Sequence, residues 1–154
     1  NLEPWRTSTN EDSKLGDKLP VERVEEAAAG GWCMRFIGED AEVMKQSIAK
    51  WVHPLDKALG AGTYVLSYDM RVSDLTPRGS LGTFNSYIRT WTAPGKGRNA
   101  GQTEYAFEGS ELPWTRRDCV IEVKEDERAT FVSLQLHRAT GTVWVDNVSL
   151  IKVR

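Results

Sequence analysis

The chain has 154 residues, a formal net charge of −2, 40% hydrophobic residues and 27% charged residues. These values are typical of one soluble globular domain that can bury a core without disulfide staples. The small net charge gives no support for a nucleic-acid-binding or membrane-surface protein. No apolar run approaches the roughly 18 residues of a membrane-spanning helix. We therefore expect a single domain over residues 1–154, with neither nucleic acid nor membrane as a partner.

Strand-like alternation of apolar and polar residues recurs along most of the chain. It predicts strands over residues 1–6, 32–37, 63–72, 83–92, 102–107, 117–124, 130–137 and 141–150, and loops over 7–20, 54–62, 73–82 and 93–101. Residues 21–29 and 41–52 are ambiguous, because alanine and glutamate favour helix in both whereas residues 46–52 alternate as a strand. With no repeat and no strand–helix alternation, the pattern favours an all-β fold, a two-sheet antiparallel β-sandwich of about nine or ten strands.

The two cysteines, Cys33 and Cys119, are too few for a disulfide scaffold and too widely spaced for a zinc site built on cysteine pairs. Both lie in strand-like stretches. Two buried thiols and one long-range disulfide are both compatible with this pattern.

The stretch 141–150 (GTVWVDNVSL) contains an acidic residue in the middle of a strand pattern. Alternation puts Val143, Val145, Asn147 and Ser149 on one side, and Trp144, Asp146, Val148 and Leu150 on the other. A carboxylate in this setting needs hydrogen-bond donors or a metal ion, so Asp146 is a candidate metal ligand.

The strong strands place polar and aromatic residues opposite their apolar faces. We predict that these residues share one sheet face, to which the stretch ending at His53 adds Trp51. The members of the predicted face are Trp51, His53, Ser67, Asp69, Arg71, Asn85, Tyr87, Arg89, Trp91, Ser133, Gln135 and His137.

Aromatic rings interleaved with amides and charged groups suit a sugar chain, since pyranose rings stack on Trp or Tyr and their hydroxyls need planar polar partners. Basic residues nearby extend this prediction to an anionic ligand, because guanidinium groups pair well with sulfate or carboxylate. They are Arg78, Arg89, Lys96 and Arg98. An ordinary solvated surface is the alternative interpretation for these residues.

Four stretches together resemble the β-jelly-roll carbohydrate-binding modules of families four, nine and twenty-two: residues 1–5 (NLEPW), 30–36 (GGWCMRF), 62–72 (GTYVLSYDMRV) and 134–150 (LQLHRATGTVWVDNVSL). The resemblance favours strands at residues 21–29 and 41–52. It implies that ligand lies across a concave face, with Trp51, Tyr87, Arg89, Trp91 and Gln135 as site residues. It also implies a secreted, monomeric module cut from a larger protein.

The resemblance further implies a structural calcium ion held by Glu3, a carbonyl near Gly31, and Asp146. The family usually has Asn-x-Gly-Phe-Glu at its first strand, where this chain has Asn-Leu-Glu-Pro. The missing glycine leaves the register of Glu3 open, and a hydrogen-bonded Asp146 without metal is the alternative.

Three functions fit the sequence. The first is a noncatalytic module that binds a plant or algal polysaccharide, either neutral or anionic (sulfated or uronic), and targets an attached glycoside hydrolase or lyase. The second is a jelly-roll polysaccharide lyase, in which His137 or Tyr87 would be the base and Arg89 would neutralise a uronate carboxylate. The third is an adhesion or spacer domain without a glycan ligand.

Overall fold

The computed structural model describes residues 6–8, 21–38, 48–77, 83–105, 110–137 and 139–154. These residues form ten strands: β1 (Arg6–Ser8), β2 (Val21–Val24), β3 (Cys33–Gly38), β4 (Ile48–Leu59), β5 (Gly62–Pro77), β6 (Thr83–Ala93), β7 (Lys96–Tyr105), β8 (Leu112–Val123), β9 (Arg128–His137) and β10 (Ala139–Lys152). None of the described residues lies in a helix long and apolar enough to span a membrane.

The strands form two five-stranded sheets in which every pairing is antiparallel. The front sheet has the order β1-β4-β9-β6-β7, and the back sheet has the order β2-β3-β10-β5-β8. This arrangement confirms the predicted all-β antiparallel sandwich.

The core forms from the inward-facing residues of both sheets. Phe84 of the front sheet packs edge-on against Phe36 and Tyr68 of the back sheet, with ring centroids 5.2 and 6.1 Å apart. Inward residues recur at every second position, which is the alternation that the sequence shows. They include Tyr64, Leu66, Tyr68, Met70 and Val72 of β5, and Val132, Leu134 and Leu136 of β9.

The helical composition of residues 21–29 is misleading, because Val21–Val24 form strand β2. Val21 is buried opposite Phe36, and Gly30 and Gly31 turn the chain with positive φ angles of 81° and 93°. The glutamates, which favour helix by propensity, instead accept hydrogen bonds from an arginine of the neighbouring strand. Glu22 accepts a 2.9 Å hydrogen bond from Arg35 Nε, and Glu26 accepts one of 3.1 Å from Arg35 Nη1.

Three predicted loops are shorter in the structure. Strand β4 continues through Pro54 to Leu59, and β5 continues to Pro77. Residues 93–101 do not form a long loop, because β6 and β7 are joined by a tight hairpin in which Gly95 has a φ of 77°. The remaining parts of the first predicted strand and of 41–52 lie outside the described residues.

Strand β10 follows the predicted alternation only as far as Asp146. Its pairing with β5 shifts between Asp146 and Ser149, and Asn147 adopts a φ of 50°. This bulge inserts an extra residue, so Leu150 pairs with Leu66 on the inward face whereas Trp144 stays on the outer face. The prediction that Trp144 and Leu150 share a face is therefore wrong.

Cys33 and Cys119 are both buried free thiols. The Cys119 thiol donates to the carbonyl of Gly101 at 2.9 Å. Burial raises the pKa of the Cys33 thiol. Of the two alternatives left open by the sequence, the structure has two buried thiols and no disulfide between Cys33 and Cys119.

Candidate functional site

The face of the front sheet that points away from the core, called the front face below, carries most of the predicted site. The register aligns Lys50, Gln135 and Asn85 in one row across β4, β9 and β6, and Val52, Ser133 and Tyr87 in the next. A third row aligns Pro54, Phe131 and Arg89. Directly paired residues share a face, so the structure brings together Asn85, Tyr87, Arg89, Gln135 and His137 as predicted.

Trp91 extends this face by one further step along β6. The Arg89 guanidinium carbon lies 4.6 Å from the Trp91 ring centroid, and Trp91 Nε1 donates to Thr130 Oγ1 at 3.1 Å. Gly97 of β7 lies directly beside both groups, since a Cβ there would come within 2.7 Å of Trp91 and 2.9 Å of Arg89. The ring and the guanidinium are thus held together against bare backbone.

Two cations are distributed among the aromatic rings of the front face. Lys50 Nζ lies 5.4 Å from the ring centroid of Phe131 and 5.9 Å from that of Tyr87. Arg89 Nη1 donates to the neutral amide oxygen of Asn99 at 2.8 Å. Within the described part of the chain, neither Lys50 nor Arg89 pairs with a carboxylate. These two side chains therefore give the described part of the front face two positive charges.

Exposure divides the front face into a buried floor and an accessible end. Asn85, Tyr87, Ser133 and Gln135 are 1%, 5%, 0% and 7% exposed, whereas Lys50, Arg89, Trp91, Asn99 and Phe131 are half-buried. Among the described residues, the amide atoms of Asn85 and the hydroxyl of Ser133 have no hydrogen-bond partner. A buried polar atom left without a partner costs about 1–3 kcal/mol, so this floor has unused capacity for hydrogen bonds.

The predicted positions of two pairs of residues, one pair on β4 and one on β5, are wrong. The first pair is Trp51 and His53. Trp51 is 5% exposed and belongs to the core, because its register partner is the inward-facing Leu134. His53 likewise pairs with the inward-facing Val132. The members of β4 that point outward are one position away, and Lys50 takes the place predicted for Trp51.

Asp69 and Arg71 lie on the outer face of the back sheet, so they cannot share a surface with Tyr87. Asp69 accepts from Asn147 Nδ2 at 2.7 Å and pairs with Arg116 at 3.5 Å. The Arg71 guanidinium lies 3.9 Å from the Trp144 ring centroid and pairs with Glu26 at 2.9 Å. Both residues therefore form hydrogen bonds and ion pairs on the outer face of the back sheet, away from the front face.

Sequence reasoning missed Lys50, Phe131 and Asn99. Alternation offered a signal for the first two, since Phe131 is in phase with Ser133 and Gln135, and Lys50 is in phase with Val52. The position of Asn99 depends on the β6–β7 register, which pairs it with Arg89. The stretch 96–101 has no apolar alternation that would reveal this pairing.

The predicted basic cluster is only partly present. Arg98 pairs with Glu127 and also donates to the Glu122 carbonyl at 3.0 Å, so its charge is already compensated. Arg78 lies outside the described residues. Lys96 is exposed at the start of β7.

The predicted calcium ligands are only partly visible. Asp146 Oδ1 accepts the backbone N–H of Asn147 at 2.7 Å, and the Gly31 carbonyl accepts from Ala27 N at 3.4 Å. Glu3 lies outside the described residues, which contain no group of three or more His, Cys, Asp or Glu that could hold a metal. Calcium takes six to eight oxygen ligands, so Asp146 would supply one of them and the described side chains do not complete the set.

Calcium binding stays a prediction, with a direct thermal test. If calcium binds at Asp146, a concentration ten times the Kd adds about 1.4 kcal/mol of stability, which raises the Tm by roughly 3–6 °C. Excess EDTA should abolish this increase, and Asp146→Asn should remove it. An equal Tm with calcium and with EDTA contradicts the prediction.

Neither a protein-family model nor a curated protein matches this chain. Several solved structures share its fold. The family 11 carbohydrate-binding module from Clostridium thermocellum, in complex with a β-1,3-1,4-mixed-linked tetrasaccharide, matches with a TM-score of 0.60 and 12% identity over 99% of this chain and 91% of that one. "Family 16 Carbohydrate Binding Module-2" matches with a TM-score of 0.56 and 21% identity over 87% and 86% of the two chains.

The Stig cyclase Fisc from Fischerella sp. TAU also matches, with a TM-score of 0.63 and 13% identity over 95% of this chain and 83% of that one. The chain spans only 20% of another match, a tailspike protein of bacteriophage CBA120. The chain therefore has the β-sandwich fold of carbohydrate-binding modules, as predicted from its four motifs. Because a cyclase shares this fold, function has to be argued from the site.

Proposed function

We propose that this chain is a noncatalytic polysaccharide-binding module whose ligand lies across the front face. The observation that carries the proposal is the arrangement of Trp91, Phe131 and Tyr87 on one face with Arg89 and Lys50 between them. Two large rings exposed in part on a polar sheet face are costly unless they bind something. The two carbohydrate-binding modules that share the fold support this choice of ligand class.

A sugar chain would use the two parts of the face differently. Its pyranose rings would stack on Trp91 and Phe131 at the accessible end, where both side chains are half-buried. Its hydroxyls would bind the half-buried side chains of Arg89 and Asn99, because Asn85 and Ser133 are too deeply buried to be reached from the surface. Hydroxyl groups both donate and accept, so they match a guanidinium, which only donates, and an amide, which does both.

The charge of the accessible end favours an anionic glycan, either sulfated or uronic. Arg89 presents a planar guanidinium beside Trp91, and only the neutral Asn99 amide is bound to it among the described residues. Lys50 adds a second positive charge. Sulfate and carboxylate groups on the sugar would supply the counter-charges that the described residues do not provide.

The proposal of a noncatalytic role is supported by the separation of the residues that a lyase would need. His137 aligns with Thr83, six positions before Arg89 in β6, which is about 20 Å along a strand. Tyr87 is also buried beneath Lys50. A base and a neutralising arginine on a single sugar unit need to be closer than this.

We further propose that the module is secreted and monomeric, and that it holds an attached carbohydrate-active enzyme close to its polysaccharide. Tethering raises the effective concentration of substrate around such an enzyme without any new catalytic contact. A spacer domain would share the fold but would bind no glycan.

Affinity electrophoresis of the isolated chain tests the proposed function. The gels would contain neutral β-glucans, xylan, and sulfated and uronic algal polysaccharides, and the chain length of each polymer would be checked afterwards. Retardation in one or two gels without cleavage is the expected result. No retardation in any gel favours the spacer, and shortened polymers favour the lyase.

The anionic preference gives a separate prediction. A sulfated polysaccharide should bind more tightly than its desulfated form by about two- to fivefold for each ion pair formed at an exposed site. Raising the salt from about 0.1 M to 1 M should remove most of the difference, because the Debye length falls from about 10 to 3 Å. Isothermal titration of both polymers measures this, and equal affinities at low salt contradict the anionic assignment.

A further inference from the structure

A cavity of about 460 Å³ opens between the two sheets, on the core side of the front sheet and therefore away from the front face. It is bounded by the β4–β5 connection and by the last residues of β10. Among the described residues, its polar lining is limited to His53, Tyr64, Ser149 and Lys152. The other described residues of its wall are aliphatic: Leu55, Leu59, Leu66, Val132, Val148 and Leu150.

Two of the strands that line this cavity, β4 and β10, are irregular at this level. The pairing of β4 with β9 shifts between Pro54 and Leu59, and the pairing of β10 with β5 shifts between Asp146 and Ser149. These irregularities leave Leu55 and Val148 outside the hydrogen-bonded ladders, and both side chains are only partly buried. Bulges often occur beside binding sites because they redirect side chains, and here they surround the cavity.

Lys152 is the one charged group among the described residues that line the cavity. Its Nζ donates to the Ala61 carbonyl at 3.0 Å and lies 5.8 Å from the ring centroid of Tyr64. Gly62 makes room for it, since a Cβ at that position would come within 2.6 Å of Lys152 Cε. No carboxylate of the described residues pairs with Lys152.

The His53 imidazole adds no second positive charge to the wall. His53 lies on the core side of β4, and burial lowers the pKa of its imidazole. The imidazole is therefore neutral at pH 7. An aliphatic cavity with one ammonium group matches a ligand that has an apolar body and one negative charge.

We propose that this cavity binds a small apolar organic anion, an aromatic or medium-chain aliphatic carboxylate or sulfonate. The apolar body fills the space between Leu55, Leu66 and Val148, and the anionic group pairs with Lys152. The volume of about 460 Å³ falls within the range of about 300–1,000 Å³ that is usual for small-molecule sites. The cavity lies on the core side of the front sheet, away from the front face, so this site is independent of the proposed function.

The test uses 1-anilinonaphthalene-8-sulfonate (ANS), an aromatic sulfonate whose fluorescence rises in apolar surroundings. The wild-type chain should bind ANS saturably, and octanoate should displace it. Val148→Phe fills the cavity and should lower the ANS affinity at least tenfold. Lys152→Met keeps the apolar stem and should lower it about two- to fivefold. Lys124→Met, on the β8–β9 turn outside the cavity, should leave it unchanged.

A second readout locates the ligand in the wild-type chain, so it does not depend on variants that fold. The chain has two histidines, and His137 on the front face is an internal control for His53. ANS should shift the His53 ring resonances in NMR spectra and leave those of His137 in place. Absence of saturable ANS binding, an unshifted His53, or equal affinities for all three variants overturns the proposal.

Discussion

Replacing Trp91 by Ala should weaken binding, about tenfold to fiftyfold, of the polysaccharide that retards the chain in affinity electrophoresis. The expected loss is that of an interface hot spot, about 1.4–2.3 kcal/mol. The substitution removes the stacking surface and also releases Arg89, whose guanidinium lies 4.6 Å from the ring. Isothermal titration of the variant and the wild type measures the change in Kd.

Trp32→Ala is the matched control for this variant. Trp32 is 50% exposed and has Arg23 stacked 4.3 Å from its ring centroid, which closely resembles the Arg89–Trp91 pair. Trp32 lies between Gly31 and the first residue of β3, which belongs to the back sheet. It is therefore not part of the front face. Equal losses in the two variants contradict a site on the front face, as does a Trp91→Ala variant that binds like the wild type.

Replacing Glu127 by Ala should lower the free energy of unfolding by about 2–4 kcal/mol. The carboxylate is 3% exposed, and it accepts from Arg98 Nη2 at 2.7 Å and from Lys124 N at 3.0 Å. The substitution leaves the backbone N–H of Lys124 without its acceptor. It also removes the ion pair between Arg98 of β7 and the β8–β9 turn. For a chain of 154 residues, each kcal/mol changes the Tm by roughly 2–4 °C.

The control for this variant is Glu125→Ala, on the same turn. Glu125 is exposed, and its side chain makes no hydrogen bond within the described structure. The Tm of Glu125→Ala should stay within about 1–2 °C of the wild-type value, since substitutions at exposed positions change the free energy of unfolding by about 0.5 kcal/mol or less. Comparable losses in both variants contradict the assigned role of Glu127.

The ion pair of Glu127 also leads to a prediction of how the Tm changes with pH. The hydrogen bonds from Arg98 hold the pKa of this carboxyl below its ordinary value of 4.5. A depressed pKa in the folded state stabilises the fold above the ordinary value, and this contribution is lost as the pH falls below about 4.5. The wild type should therefore lose Tm more steeply in this range than Glu127→Gln, and parallel curves contradict the pairing.

The strands that could be predicted are those whose apolar and polar residues alternate. Residues 63–72, 83–92 and 130–137 alternate clearly, and one face of each strand, represented by Leu66, Ile88 and Leu134, lies in the core. At residues 21–29 the composition favours helix, whereas the strand that the resemblance favours is present at Val21–Val24, where the contacts of Val21 and Arg35 decide the structure. Such contacts join positions that the sequence does not show to be neighbours.

The errors in the predicted site have two physical causes. Trp51 was misplaced because a shift of one residue exchanges the two faces of a strand, and the β4–β9 register puts Lys50 outward instead. Asp69 and Arg71 were misplaced because alternation gives the face of a strand but not the sheet to which it belongs. The β10 bulge at Asn147 likewise depends on local backbone geometry that alternation cannot reveal.

The most direct test of the front-face site is an NMR titration of the tryptophan indole N–H signals with the retained polysaccharide or an oligosaccharide derived from it. The six tryptophans give one indole signal each, and Trp91→Ala assigns the signal of Trp91. The Trp91 signal should shift most, because its indole N–H donates to Thr130 beside the proposed ligand. The signals of Trp32 and Trp144 should stay in place. A shift confined to Trp32, with Trp91 unchanged, would contradict the front face as the binding site.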